Sequence, residues 1–156
     1  MGKVVSIALL VWTFAISSFF ANAEPSIDLT LGGVRPGMSK EKVHSTLGKG
    51  REIADKNLSI FRRPDGNEIH VLYDPSGVVE TVVVTWVTPH SDLAVKNRLG
   101  ETRVSFGMRK EDLQQKLGQP TTVKTNGSLT HWTFSKLNLS VVLSKDSVVG
   151  ASLTSD

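Results

Sequence analysis

The residues best suited to chemistry in this sequence are its four histidines, because it contains no cysteine. They are His44, His70, His90 and His131, and no two have the H-x-x-x-H spacing that places metal ligands on one helix face. A metal site would need distant residues to converge. We therefore expect no metal and no cofactor.

Nucleophilic catalysis is equally poorly supported, since no G-x-S-x-G turn and no glycine-rich phosphate loop occurs. The pair Gly32-Gly33 precedes a helix but lacks the lysine and spacing of a phosphate loop. Glu41 and Glu111 are typical first-turn helix residues favoured by the helix dipole. The sequence predicts a protein that is not an enzyme. The alternative is a site between two repeats, which would bring His70, His131 and a carboxylate into one cleft.

The elements that position these residues are repeated. The stretch from Val34 to Gly48 recurs from Val104 to Gly118, with Gly-Met-x-Lys-Glu followed by Leu-Gly at the same places, 70 residues apart. Each copy predicts a short amphipathic helix that ends at a glycine. Ser39 is a good N-cap for the first helix, whereas Arg109 occupies that position in the second and makes a weaker start.

Alternating β-branched residues after each helix predict three strands per copy. They cover residues 59–63, 68–73 and 78–87, and then 129–134, 137–143 and 148–154. The predicted class is therefore α+β, with two tandem repeats, each a short helix packed on a three-stranded antiparallel sheet. We expect the 70-residue step to hold from Leu29 to the end of the chain. The predicted units are repeat 1 at residues 24–88, and a linker with repeat 2 at residues 89–156.

Residues 1–23 have the pattern of a secretory signal peptide. Lys3 is followed by an apolar run from Val4 to Phe20 and by Ala21-Asn22-Ala23, a small-residue cleavage site. The alternative is an uncleaved anchor, but the run is shorter than the roughly 20 residues of a membrane span. Without cysteine there is no lipid attachment point. We predict a periplasmic or secreted protein with no stable membrane anchor after cleavage.

The charge pattern argues against nucleic acid as a partner. Without Lys3 the chain has 17 basic and 15 acidic residues, and the basic ones are scattered. A protein partner in the envelope or outside the cell suits the sequence better. The oligomeric state stays open.

The predicted partner surface is the side of the first sheet that faces away from its helix. The alternation assigns Ile69, Val71, Tyr73, Val79 and Val83 to the helix side. It assigns Arg62, His70, Leu72, Glu80, Val84 and Trp86 to a partner-binding face, since exposed apolar and aromatic residues beside arginine are typical of interfaces. The alternative is that Val82, Val84 and Trp86 pack against the other repeat.

The doubled element G-M-x-K-E-x-(V/L)-x-x-x-L-G followed by strands resembles two families. Gly37, Met38, Lys40, Glu41, Val43, Leu47 and Gly48 carry the likeness, together with Gly107, Met108, Lys110, Glu111, Leu113, Leu117 and Gly118. One family is SmpA/OmlA, the BamE-like lipoproteins of bacterial outer-membrane assembly, which typically carry one such unit. The other is the beta-lactamase inhibitor protein family, a tandem of two units that binds its enzyme through the exposed concave face of a sheet.

These resemblances imply a function but no functional residues. The lipoproteins' acylated cysteine and the inhibitors' disulfides are both missing here, and no inhibitory hairpin matches. The predicted function is a non-catalytic, exported protein-binding module of the bacterial cell envelope, BamE-like, that acts through a sheet face. The alternative is a secreted inhibitor of a hydrolase, similar to the beta-lactamase inhibitor protein family.

Overall fold

The computed structural model of the protein describes residues 28–89 and 91–155. The predicted signal peptide and His90 lie outside this part. The described helices are α1 (Lys40–Leu47) and α2 (Lys110–Leu117). The described strands are β1 (Thr30–Leu31), β2 (Arg51–Ile53), β3 (Leu58–Arg62), β4 (Glu68–Tyr73), β5 (Val79–Val84), β6 (Ala94–Lys96), β7 (Thr102–Ser105), β8 (Thr122–Asn126), β9 (Leu129–Phe134), β10 (Leu139–Ser144) and β11 (Ser147–Thr154). Short 3-10 turns at Ala54–Lys56 and Ser135–Leu137 follow β2 and β9.

The strands form two antiparallel sheets. The larger has eight strands in the order β2-β3-β4-β5-β11-β10-β9-β8, and the smaller has three in the order β1-β6-β7. The two halves of the chain meet where β5 pairs with β11, with Val84 opposite Ala151 and Val82 opposite Leu153. Hydrogen bonding therefore continues from one half of the chain into the other.

The predicted fold class is wrong. The chain is mostly β, with two eight-residue helices and sheets of three and eight strands, rather than two units that each pack a helix on a three-stranded sheet. The prediction overlooked β2, β6, β7 and β8. The sequences of β2 and β8, Arg-Glu-Ile and Thr-Val-Lys-Thr-Asn, lack an apolar alternation. The prediction also could not anticipate that β5 and β11 would share hydrogen bonds, because pairing partners leave no local sequence signal. The boundary between repeats at residues 88 and 89 stays a prediction.

The two helices begin and end where the sequence places them. Ser39 Oγ accepts a hydrogen bond from the Lys42 amide, whereas no side chain caps α2 at Arg109. Gly48 and Gly118 follow the helices with φ of 84° and 80°. The expected N-cap at Ser39, the glycines that end both helices and the weaker start of α2 are confirmed.

The repeated Gly-Met pair fastens each helix to a hairpin of the sheet. The Gly37 amide donates to Val79 O and the Val79 amide donates to Met38 O, each at 2.8 Å. In the second half the Gly107 amide donates to Val148 O at 2.8 Å, and the Val148 amide donates to Met108 O at 2.9 Å. Gly37 and Gly107 have φ of 83° and 84°, a conformation that glycine adopts readily. The motif is thus explained by the docking of helix to hairpin.

The 70-residue step does not hold to the end of the chain. Val79 corresponds to Val148, a step of 69, because β10 and β11 are joined by a tighter turn at Lys145-Asp146. The correspondence at the start is also wrong. Leu29 is buried, whereas Leu99 is exposed in a turn.

A single hydrophobic core serves both halves. It contains side chains from both helices, from both sheets and from the segment before β6. Its fully buried larger members are Leu31, Val34, Val43, Ile69, Val71, Val79, Val82, Val84, Val95, Leu113, Leu139 and Leu153. With no disulfide, this shared core is the main source of stability.

Candidate functional site

Both helices and the small sheet pack against one face of the large sheet, and no element among the described residues covers the other face. Alternate side chains of its strands are buried in the core with Val43 of α1 and Leu113 of α2. The side chains between them are mostly half-buried or exposed. We call this second side the open face. It carries Ile60, Arg62, Glu68, His70, Leu72, Thr81 and Val83 from the first half, and His131, Thr133, Ser140, Val142 and Ser152 from the second.

The strand register aligns one row of side chains across all eight strands of this face. In sheet order the row is Arg51, Ile60, His70, Val83, Ser152, Ser140, Thr133 and Thr122. Neighbouring strands are about 4.8 Å apart, so the row spans roughly 34 Å. The open face is therefore a continuous surface contributed by both halves.

The two ends of the row differ in chemistry. The first half contributes apolar side chains, with Leu58 and Leu72 adjacent to Ile60 and Val83. The second half contributes hydroxyl groups, and Thr133 Oγ1 lies 3.4 Å from Ser140 Oγ. An apolar region beside a polar one suits a macromolecular surface, because the first supplies burial and the second supplies hydrogen bonds.

Three of the six predicted site residues lie together on the open face, namely Arg62, His70 and Leu72. Their neighbour Glu68 connects two of them, with Oε1 3.9 Å from Arg62 Nε and Oε2 3.3 Å from His70 Nε2. Leu72, two residues after His70 and on the same side of β4, is partly buried. This group is a small charged cluster beside an apolar patch.

The assignment of Val84 to this face is wrong, and a β-bulge is the reason. Tyr73 pairs with Val79 but Leu72 pairs with Thr81, so Glu80 is an extra residue in β5. An extra residue reverses the alternation of every later side chain in the strand. Val84 is consequently only 1% exposed, as the alternative reading of core packing required. Val83, which the sequence placed in the core, faces outward instead.

The remaining predicted residues lie beside the face rather than within it. Glu80 is exposed at the bulge. Trp86 follows the end of β5 and is 65% exposed, with a backbone φ of 54°. Its neighbour Val87 is buried, and the Val87 amide donates to Val149 O at 2.9 Å. Trp86 thus projects from the junction between the two halves.

The structure also contains a polar cluster that the sequence did not reveal. Glu52 Oε1 accepts from Ser59 Oγ at 2.7 Å and lies 3.0 Å from His44 Nε2, while Lys40 Nζ contacts Oε2 at 2.5 Å. Burial acts to raise the pKa of Glu52, but the hydrogen bonds from Lys40 and Ser59 outweigh it and lower that pKa. Ser59 is fully buried. We interpret this cluster as a link between α1 and the sheet, not as a nucleophilic site.

His70 and His131 lie far apart in the large sheet. His70 on β4 and His131 on β9 are separated by three strands, roughly 19 Å at ordinary strand spacing. The alternative reading, in which His70, His131 and a carboxylate share one cleft between the repeats, is therefore wrong. Within residues 28–89 and 91–155 there is no group of three potential metal ligands. None of the helices described has the length and apolar character to cross a membrane.

A cleft of about 360 Å³ lies elsewhere, between the segment before α1 and the second half of the chain. Arg35 and Pro36 line one side, and Lys136 lines the other. Asp28 is 3.5 Å from Arg35 and offsets its charge. None of the six predicted partner-binding residues lines this cleft.

The fold and the open face define a class of β-sheet protein in which helices pack on one face of the sheet and no described element covers the other. The solved structure of a DUF4309 family protein, YjgB, from Bacillus subtilis is similar to this chain. It has a TM-score of 0.51 and 13% sequence identity, over 76% of this chain and 78% of that one. At this identity the likeness shows the fold alone. No family model and no curated protein matches the chain.

Proposed function

We propose that this protein is an exported, non-catalytic binding module that takes a protein partner on its open face. The observation that carries the proposal is an apolar patch on β3, β4 and β5 of the continuous eight-stranded sheet, on the face that no described element covers. Leu72 lies directly opposite Leu58 and diagonal to Val83, while Ile60, which is 8% exposed, and Val83 lie on either side of His70. Apolar centres with polar rims are typical of protein interfaces.

The dimensions of the face suit a modest protein interface. Eight strands span roughly 34 Å and five residues along each strand add roughly 17 Å, which gives a footprint on the order of 600 Å². Stable interfaces use about 800 Å² per partner. Trp86, at the border of the face, adds a large exposed aromatic group of the kind that anchors partners.

Charge at the border would orient the partner. Arg62 and Glu68 form the next row along the strands, and His70, which contacts Glu68, lies between Ile60 and Val83. The second half contributes hydroxyl groups with His131, and the strands β8 to β10 carry no carboxylate. A partner therefore meets a mixed-charge border at one end and neutral hydrogen-bonding groups at the other.

The second candidate is a secreted inhibitor of a hydrolase. The observation that favours it is the continuity of the open face across both halves, since the beta-lactamase inhibitor protein family, which the doubled motif resembles, uses a sheet face against its enzyme. The two candidates share a surface and differ in the partner. Dose-dependent loss of hydrolase activity with the purified protein would favour the inhibitor.

Site-specific crosslinking in intact source cells tests the proposal. A photoreactive residue at Leu72 should capture a partner, whereas one at Lys42, exposed on α1, should not. Leu72→Ala and Trp86→Ala should each weaken binding of the captured protein at least about tenfold, as interface anchors do. Leu99→Ala, the same substitution at an exposed leucine in the turn between β6 and β7 and outside the open face, is the matched control and should have little effect.

Capture of outer-membrane assembly components would support an envelope module, and capture of one soluble hydrolase would support the inhibitor. If Leu72→Ala and Trp86→Ala stay folded and leave every partner unchanged, the open face is not the binding surface. Circular dichroism of each variant establishes that the fold survives.

A further inference from the structure

The outer edge of β8 is an unprotected strand edge. All five of its residues are exposed, and it pairs on one side with β9. The two-residue loop Gly127-Ser128 closes on the pair Asn126–Leu129, so this pair and every second pair along the ladder exchange hydrogen bonds. The N–H and C=O groups of Val123 and Thr125 therefore point outward, and no hydrogen bond within the described chain reaches them.

The opposite edge of the same sheet is protected. β2 has three residues and leads directly into a 3-10 turn. Glu52, in its middle, is tied to Lys40 and His44 of α1. Short, anchored edges discourage pairing with other chains. β8 is longer, regular over its whole length and free of proline.

Equivalent positions of the two edges carry side chains of opposite character. The register matches Glu52 to Val123 on the helix side and Ile53 to Lys124 on the open side. Val123 remains 54% exposed beside the nearly buried Trp132. The edge of β8 therefore presents an apolar side chain on one side of the sheet and a cation on the other.

The half of the chain that contains this edge has a net positive charge. Residues 91–155 contain nine Lys and Arg against five Asp and Glu, whereas residues 28–89 contain eight of each. Lys124 has His131 directly opposite it on β9. A carboxylate next to Lys124 would meet only positive or neutral neighbours on these strands.

We propose that the β8 edge binds an extended segment of another protein, which adds a ninth strand and places a carboxylate beside Lys124. The preferred segment alternates apolar, acidic and apolar residues, because neighbours on a strand face opposite sides. Its apolar residues cover Val123 and its backbone pairs with Val123 and Thr125. This site lies at the sheet edge and is separate from the open-face contacts proposed above.

A second copy of this chain fits the edge less well. The antiparallel register that pairs all five residues of β8 with a second β8 sets Lys124 against Lys124, and like charges directly opposite are destabilising. The same lysine favours an acidic strand. Charge complementarity thus selects a different, acidic segment over self-association.

The test uses the purified mature protein and a blocked synthetic peptide, Ser-Thr-Val-Glu-Val-Thr-Ser, with a control peptide in which Lys replaces Glu. On binding of the acidic peptide, amide hydrogen exchange at Val123 and Thr125 should slow. The Lys peptide should bind at least about five-fold more weakly. Lys124→Glu should reverse this preference, and Lys136→Glu, the same charge change away from the edge, should preserve it.

Val123→Pro removes an outward N–H without removing a β8–β9 hydrogen bond, and it should lower the affinity for the acidic peptide about tenfold. Leu72→Ala should not change the affinity for the peptide. A failure of the edge-site proposal can therefore be distinguished from a failure of the open-face proposal. Three results would overturn the edge site: a peptide preference that ignores Lys124→Glu, amides of Val123 and Thr125 already protected in the free protein, or a dimer in sedimentation that Lys124→Glu leaves intact.

Discussion

Trp86 combines an exposed indole with a left-handed backbone, at φ of 54°. A bulky residue in this conformation is strained, and such strain concentrates at functional positions. Glycine has no Cβ to clash there, so the identity of the residue at position 86 is not explained by the local fold. A binding role for the indole ring would explain why tryptophan occupies the site.

The strain at Trp86 predicts an unusual order of stabilities. Trp86→Gly should be about 1 kcal/mol more stable than Trp86→Ala, because only alanine retains the penalty for positive φ. The control pair is Thr85→Gly and Thr85→Ala, at the exposed position before Trp86. There the alanine variant should be more stable than the glycine variant. Urea unfolding followed by circular dichroism measures all four variants. Equal stabilities at position 86 would show that the backbone there is relaxed in solution.

Asp65 connects the β3–β4 turn to the segment that precedes β6. Its Oδ2 accepts from Ser91 Oγ at 2.6 Å, and its Oδ1 accepts from the Asn67 amide at 3.0 Å. Arg63 Nε lies 3.5 Å from Oδ2. The hydrogen bond from Ser91, with those from Asn67 and the charge of Arg63, lowers the pKa of Asp65 from 3.8 to about 2.

This lowered pKa predicts acid sensitivity in a defined window. Since the folded-state pKa lies below the unfolded one, the stabilisation by Asp65 is complete above pH 3.8 and is lost as the pH falls through about 2. Solvent screening reduces its size to about 1 kcal/mol. Asp65→Asn should be less stable than the parent protein at pH 5, with the difference shrinking towards pH 2. Unfolding curves at pH 5, 3 and 2 measure it, and a constant difference would contradict the prediction.

At the level of elements, the two helices form a natural comparison. They have equal lengths and the same docking to a hairpin, but only α1 has a side-chain cap. Ser39→Ala should lower the free energy of unfolding by about 1 kcal/mol, and Arg109→Ser should raise it by about 0.5–1 kcal/mol. Arg109 contacts Glu111 at an exposed position, which contributes little. Ser39→Asp, which retains a capping oxygen, is the control and should behave like the parent. Loss of stability in Arg109→Ser would refute the argument.

Sequence reasoning located the helices and most strands but not the sheet they build. Helix caps, turn residues and the alternation in β4 are local signals, and the bounds Glu68–Tyr73 and Leu129–Phe134 were predicted correctly. The bulge at Glu80 has no comparable signal, since the β-branched run after it is compatible with either face. One extra residue therefore exchanged Val83 and Val84 between the open face and the core. Exposed edge strands such as β8 are equally hard to detect, because their pattern is not fixed by burial.

At the level of the whole molecule, the β5–β11 pairing makes two repeats into one structure. Gly150 permits this pairing, because a Cβ there would lie 3.0 Å from Val84 O and 3.5 Å from Thr85 Cα. Val82 and Leu153, which face each other across the junction, are both buried in the common core. Neither half could bury these side chains alone.

The shared core predicts that the halves are not independent domains. Fragments 24–88 and 89–156 should each be unfolded in isolation, because about 65 residues without disulfides or a partner for the central strand form too small a core. Mixed in equal amounts, they should regain β-structure by circular dichroism, since β5 and β11 can again pair. The 24–156 chain should unfold in one transition, monitored for the second half by Trp132 fluorescence in a Trp86→Phe variant and for the first half by the amide exchange of β4. A cooperative melt of either fragment, or two separate transitions in the 24–156 chain, would show instead that each repeat carries its own stability and that the continuous sheet is a docking of two finished units.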